Sequence, residues 1–317
     1  MIVMLVVSGA SLFAQEDDCL LRHRFAVGQA RRYRCEQTTV EQVISRDEDE
    51  GVVSARLDAS PMQQLTFVEE EGCHAIDENG VADVSYRCVS MGAYVVRDGK
   101  RVYKFESEDP TELRKKGHAL PIDTSGVIFD TVHYRVDPDM NVVDAQAPRS
   151  HSGRHRKQMN ASYEKALNAR YRSFFPRELI GPGDVHETRI PFQEGLWQAN
   201  EQVEATEYTV RLEHLGYEEK EGLRCAVLGI TMKLGDGGVA VLRRDTNFAL
   251  STRRFRAVSK VWFAVAEGTP VLEESSIEVW LDRQILRGKD VASTTHLAVR
   301  QTIRTALIAR DVQIPAP

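Results

Sequence analysis

The sequence predicts a mainly β protein: long antiparallel meander sheets in two similar halves, with one central helix between them. Three observations predict it. Runs such as RRYRCEQTTVEQVIS alternate polar and apolar residues and are rich in Thr, Val and Tyr, the composition of half-exposed strands. The turn pairs Asn79-Gly80 and Asp98-Gly99 stand between such runs, which is a strong hairpin signal. One long stretch alone carries a helical period.

Residues 1–14, MIVMLVVSGASLFA, form an uncharged apolar run with the length of a signal-peptide core, and Leu12-Phe13-Ala14 is an acceptable cleavage site. The run is too short to span a bilayer, which takes about 20 helical residues. It lacks the usual positive start, since the first Lys or Arg is Arg22. The alternative is a first buried strand. No second apolar run reaches membrane length, so the mature chain is expected to be exported, periplasmic or extracellular, without a spanning segment.

Residues 20–150 read as the first β half. Phe25-Ala-Val27 and Gly28-Gln29 lead into the alternating run from Arg31, and the acidic stretch 46–51 is a solvated loop. Strand-like segments follow on both sides of the Asp77-Glu-Asn-Gly80 turn and of Asp98-Gly99. Asp109-Pro110-Thr111-Glu112 followed by LRKKG is a short-helix signature at about 110–116: Asp109 caps, Pro110 fits the first turn and Gly117 supplies the stop. GVIFDTVHYRVD and MNVVDA then form another hairpin.

The connecting segment, 151–180, holds the central amphipathic helix at about 154–174. Met159, Tyr163, Leu167, Tyr171 and Phe174 recur at intervals of three and four and lay one apolar stripe along it. Ser150 or Ser152 can cap its start, and Pro176 stops it because proline has no N–H to donate. This helix is expected to cover one face of a sheet.

Residues 181–317 form the second β half, six strand-like segments punctuated by Gly222, by the Gly235–Gly238 turn and by Gly268-Thr-Pro270. The last stretch, VASTTHLAVRQTIRTALI, suits strand or helix, and its threonines favour strand. A faint internal repeat joins the halves: VEEEGCHAIDENG resembles YEEKEGLRCAVLG, and VHYRVDPDMNVVDA resembles VWFAVAEGTPVLEE.

Composition excludes some functions. A net charge of −6 and a pI of about 5.9 argue against a nucleic-acid binder, which needs excess cation against phosphate. The five cysteines, Cys19, Cys35, Cys73, Cys88 and Cys225, form no CxxC and no Cys/His cluster, so no structural zinc is expected. Cys73 and Cys88 flank the 77–80 turn and are the candidate disulfide, given a bulge or a longer loop. No phosphate loop, nucleophile elbow or cofactor motif is present, and no catalytic residue is assigned. Acid groups such as Glu69-Glu70-Glu71 and Glu273-Glu274 are too common in an acidic chain to carry weight. The sharpest charge cluster is Arg149, His151, Arg154, His155, Arg156 and Lys157. It is a candidate anion site, set against a plain solvated loop, because cations at a helix start oppose its dipole.

The chain resembles a group of uncharacterised exported bacterial β-rich proteins of planctomycete type. The residues that carry the likeness are Phe25, Gly28 and Tyr33; Val136, Asp137 and Val142; Phe175 and Pro176; Gly183 and Asp184; and the turn-strand from Gly222 to Cys225. It departs at Asp139-Met140-Asn141, where a turn glycine is expected, and at Val185, where an aromatic often follows. The resemblance implies a large, strongly curved antiparallel sheet similar to lipoprotein-carrier half-barrels. The expected function is therefore non-enzymatic: a curved sheet that binds a lipid or another hydrophobic or amphipathic ligand. The alternative is a structural or interaction module of the cell envelope without a small-molecule ligand.

Overall fold

The computed structural model describes residues 18–48, 51–53, 62–97, 99–107, 131–146, 157, 159–161, 163–164, 167–168, 171, 175–191, 207–234, 240–244, 248–287 and 290–314. The strands are β1 (Gln29–Glu48), β2 (Gly51–Val53), β3 (Met62–Ile76), β4 (Ala82–Arg97), β5 (Lys100–Ser107), β6 (Val132–Val136) and β7 (Val142–Gln146) in the first half. The second half contributes β8 (Val185–Pro191), β9 (Glu207–Lys220), β10 (Leu223–Leu234), β11 (Ala240–Arg244), β12 (Phe248–Ala264), β13 (Thr269–Arg287) and β14 (Asp290–Gln313). They join in one 14-stranded sheet ordered β7-β6-β4-β3-β1-β14-β13-β12-β10-β9-β8, with β2 on β1, β5 on β4 and β11 on β12.

The first meander runs outward from β1 and the second runs inward to β14. Their pairing, from Gln29 opposite Gln313 to Glu48 opposite Ser293, makes the two halves one sheet. The stretch from Val291 to Ile308, equally periodic for helix and strand, is strand and lies at this joint.

Local chemistry fixes the hairpins. At the β3–β4 turn the Asp77 carboxylate accepts from the Asn79 and Val81 amides at 2.9 and 3.0 Å, while Gly80 takes a φ of 77°. Asp137 does the same for the β6–β7 turn, accepting from the Asn141 amide at 2.8 Å. There Met140 holds the left-handed conformation, φ 68°, at the place where a glycine was expected. Its side chain packs on the core below, which offsets part of that cost. The two pairs of repeat segments fare differently. VHYRVDPDMNVVDA and VWFAVAEGTPVLEE are both hairpins, whereas Cys73 precedes its turn and Cys225 follows its own.

The described residues 157, 159–161, 163–164 and 167–168 of the central segment are helical, and the Tyr171 amide donates to the Leu167 carbonyl at 3.1 Å. The apolar stripe is buried as expected, with Leu167 fully enclosed and Tyr163 and Tyr171 nearly so. They pack with Met159 on Val84, Tyr86, Val132, Tyr134 and Val136 of the sheet. The rest of the 154–174 segment, the expected helix at 110–116 and the signal-peptide segment 1–14 lie outside the described residues.

The face that this helix covers is concave, and a chain of ring contacts shows it. Tyr134 on β6 lies 6.2 Å from Tyr171, Tyr171 lies 5.1 Å from His23, and His23 lies 5.6 Å from Phe263 on β12. On a flat sheet β6 and β12 would stand about 29 Å apart, six spacings of about 4.8 Å. Three ring contacts cannot bridge that distance, so the sheet bends around them.

The N-terminal segment 18–28 threads through this bend. It starts at an antiparallel bridge between Cys19 and Ile180 and reaches Gly28, whose amide donates to the Cys73 carbonyl at 2.8 Å. On the way the Arg24 amide donates to the Gly268 carbonyl at 2.9 Å. Any Cβ at Gly268 would come within 2.6 Å of the Arg22 carbonyl and the Arg24 amide, so that turn is glycine for space as well as for its φ of 57°. One end of the curved sheet is thereby plugged by the helix and the N-terminal segment.

Candidate functional site

Alternation along the long central strands gives the sheet two chemically different faces. The convex face carries charge pairs, Arg300 with Glu278 at 3.3 Å and Arg304 with Glu274 at 3.7 Å, in register across β13 and β14, and nearer the plugged end a buried apolar cluster around Trp262, Val227 and Leu272. The opposite positions, Ile277, Val279, Val299, Ile303, Phe255 and Met232, point into the concavity and are half-buried, beyond the reach of the plug. Leu297 lies deeper on the same face, whereas Val210, Leu212 and Ile230 belong to the closed core that Cys19, Leu21 and Ile180 complete beside the trough. Tyr208 lines it as well, against Phe255 at 4.8 Å, and burial raises its phenol above the ordinary value. This is the candidate binding site.

The plugged end contains a buried polar network. The Glu71 carboxylate accepts from Tyr134 at 2.8 Å and from Tyr171 at 2.9 Å, and the two phenols lie 2.6 Å apart. Glu69 accepts from Tyr86. Both carboxylates sit on the concave face, while Glu70 between them points outward to Arg32 at 2.7 Å and Arg87 at 2.5 Å. The triple glutamate is thus divided by strand alternation into two carboxylates on the concave face and a third, equally buried, that holds two arginines on the convex face. A further charge group, Asp282 with His296 at 2.7 Å and with Arg253, sits on the convex face, away from the trough.

The candidate disulfide is not made. Cys73 pairs with Val84 and Cys88 with Glu69, so the two cysteines lie about four residues, or roughly 13 Å, out of register. A bridge needs Cα atoms within about 7 Å. Bulges at Val68/Glu69 and Cys73/Ala75 shift the ladder, and all five cysteines are buried thiols outside any disulfide. Burial, with the Glu69 charge nearby, pushes the Cys88 thiol up to about 12, and burial takes Cys73 and Cys225 to about 11. Only thiolates alkylate quickly. Iodoacetamide at pH 8 is therefore expected to leave the native chain unlabelled and to label all five cysteines after denaturation, read by intact mass. An unfolded thiol ionises near 9 while these stay protonated, so stability falls as pH rises above about 9 and reaches its full loss only past the folded values. A native chain labelled at Cys73 or Cys88 would contradict this.

Of the candidate anion cluster, Lys157 is helical and exposed, and Arg149, His151, Arg154, His155 and Arg156 lie outside the described residues. No group of three or more His, Cys, Asp or Glu side chains fit for a metal occurs among the described residues, and none of their helices is long and apolar enough to cross a membrane. The residues that carry the family likeness are framework. Tyr33 is buried with its hydroxyl 2.6 Å from Thr269, Phe175 packs on Phe263, and the Gly183 amide donates to the His214 carbonyl at 2.7 Å. The buried network was not anticipated. Its signal in the sequence was two glutamates at positions 69 and 71, where strand alternation points inward.

The fold and site define a class: a single, strongly curved antiparallel sheet with an apolar trough on its concave face and a plug at one end. No family model matches the chain, and no curated protein matches its sequence. Among solved structures it is similar to lipovitellin, from work on lipid–protein interactions, at 9% identity and a TM-score of 0.43. The match covers 93% of this chain and 26% of that one, so this chain spans about a quarter of the lipovitellin chain. It is also similar to a Bacteroides fragilis protein assigned to export, with a YmcC-like fold, at 10% identity and a TM-score of 0.26, covering 93% of this chain and all of the other.

Proposed function

We propose that this protein is an exported, non-enzymatic carrier that holds a hydrophobic or amphipathic ligand in the concave trough. The observation that carries this reading is the contrast between the faces of β12, β13 and β14. Charge pairs stand on the convex side of β13 and β14, beside the exposed Trp280 and Val258, whereas Ile277, Val279, Val299 and Phe255 line together the side that the sheet wraps around. A concave, contiguous apolar surface left open to water is what a ligand site needs and what a self-sufficient core avoids. Export rests on the apolar stretch at 1–14, the length of a signal-peptide core.

The test is native mass spectrometry of the chain secreted into a periplasm, followed by the denatured mass of the same sample. A ligand mass released on denaturation is expected. Ile277→Asp with Val279→Asp is expected to weaken binding tenfold or more, since apolar burial against the ligand is worth about 25 cal/mol per Å² and a desolvated charge opposes it. A bare monomer that binds no amphiphile overturns the carrier reading. A bare dimer moves it to an interaction module of the envelope.

A further inference from the structure

The trough is not uniformly apolar, and the exception lies at its centre. On the four middle strands the concave positions beside the plug mix polar groups, Gln37 and Thr39 on β1, Thr305 and Gln301 on β14, Ser275 on β13 and Ser259 on β12, with Ile303, Ile277 and Ala257 in the same rows. The six polar side chains are half-buried. They are flanked on one side by the buried cluster of Leu65, Phe67 and Ala93 and on the other by the buried cluster of Leu212, Leu228 and Ile230. The result is a floor enriched in polar groups between two closed apolar cores.

We infer that this floor receives the head of an amphiphile, and that the head is uncharged and hydroxyl-bearing, of glycerol or sugar type; the inference rests on the carrier reading above. Among the described residues the floor offers donors and acceptors and no cation. Ser259 and Ser275 hydroxyls lie 2.7 Å apart, Ser275 donates to Glu273 at 2.9 Å, and Gln301 gives one amide hydrogen to Thr39 at 3.2 Å. That leaves the Gln301 carbonyl oxygen and its second N–H for a ligand, matched by the carboxamide of Gln37 one register step away. Among the described residues the charged groups on these strands' concave side at this level are carboxylates, Glu273 and, towards the open end, Glu41. A fatty-acid carboxylate or a phosphate would give up its hydration there with no Lys or Arg among the described residues to replace it. A hydroxylated head loses nothing, since it trades water for amide and hydroxyl partners.

The experiment uses the full chain, stripped of bound lipid, with displacement of the uncharged fluorophore N-phenyl-1-naphthylamine as readout. The competitors share one chain length: 1-monododecanoylglycerol, dodecanoate and dodecylamine. Monododecanoylglycerol is expected to displace the probe at about one tenth of the dodecanoate concentration, the worth of one or two net hydrogen bonds. Gln37→Leu with Gln301→Leu is expected to retain probe binding and bring the two competitors close to parity. Gln301→Lys supplies the missing cation and is expected to favour dodecanoate. Dodecanoate or dodecylamine displacing the probe as well as the glyceride, or a preference that survives both sets of substitutions, overturns the head-group inference and leaves the carrier reading standing. A chain that binds neither the probe nor any competitor overturns both.

Discussion

Phe263→Ala is expected to lower the unfolding free energy by about 3–5 kcal/mol, the range for deleting a fully buried aromatic ring. Phe263 has no exposed surface and stands where three separate parts of the chain meet. His23 from the N-terminal segment lies edge-on to it at 5.6 Å, and Phe175 from the segment after the helix lies edge-on at 5.8 Å. Around them Leu21, Ile180, Leu212, Leu228 and Val261 close the same core. The site cannot collapse easily, because its walls are the paired strands of a sheet on one side and two threaded segments on the other. Phe263→Leu keeps most of the volume and is expected to cost less than half as much. Denaturant midpoints of the two variants against the parent give the answer, and an alanine variant that loses less than about 1 kcal/mol would show that the plug is not packed as described.

How much of this was legible in the sequence depends on the range of the interaction. Hairpins are local: alternation with the Asp77–Gly80 and Asp98-Gly99 turns identified β3–β4 and β4–β5, alternation on both sides of the acidic 137–141 turn identified β6–β7, and Tyr163, Leu167 and Tyr171 of the helical stripe are buried where its period placed them. The pairing of β1 with β14 joins residues almost the whole chain apart, and nothing local in either strand announces it. The failed Cys73–Cys88 bridge has a more local origin. The turn closes with Ile76 opposite Ala82, which by itself leaves Cys73 three residues short of Cys88, and the bulge at Cys73/Ala75, a single inserted residue with little compositional mark, adds a fourth. The trough was foreseen in kind, as alternate apolar positions on a curved sheet. Its polar floor was not, because it exists only where Gln37, Ser275 and Ser259 from three strands share one level and Gln301 of β14 stands in the next row.

The buried glutamates raise a question of balance that one pair of variants resolves. Tyr171→Ala is expected to cost about 3–5 kcal/mol, because it removes a nearly buried aromatic from between the helix and the sheet. Tyr171→Phe keeps the ring, and with it the packing on His23 at 5.1 Å and Phe25 at 6.1 Å, and deletes only the hydroxyl. That hydroxyl is one of two phenol donors to Glu71, at 2.9 Å, the other being Tyr134. Its removal leaves an enclosed carboxylate with one donor fewer, which costs about 1–3 kcal/mol, more than the net worth of an ordinary neutral hydrogen bond. The two variants separate packing from polar satisfaction at one position. Glu71→Gln distinguishes them further: the amide oxygen still accepts from both phenols, and in its background Tyr171→Phe is expected to cost less than in the parent, because the acceptor is then uncharged. Equal costs in the two backgrounds, measured as a double-mutant cycle by denaturant titration, would mean that the charge on Glu71 adds nothing to what a neutral acceptor at that place would give. A smaller cost in the Glu71→Gln background would mean that a buried charge, fixed by two phenols, helps to fasten the plug to the curved sheet.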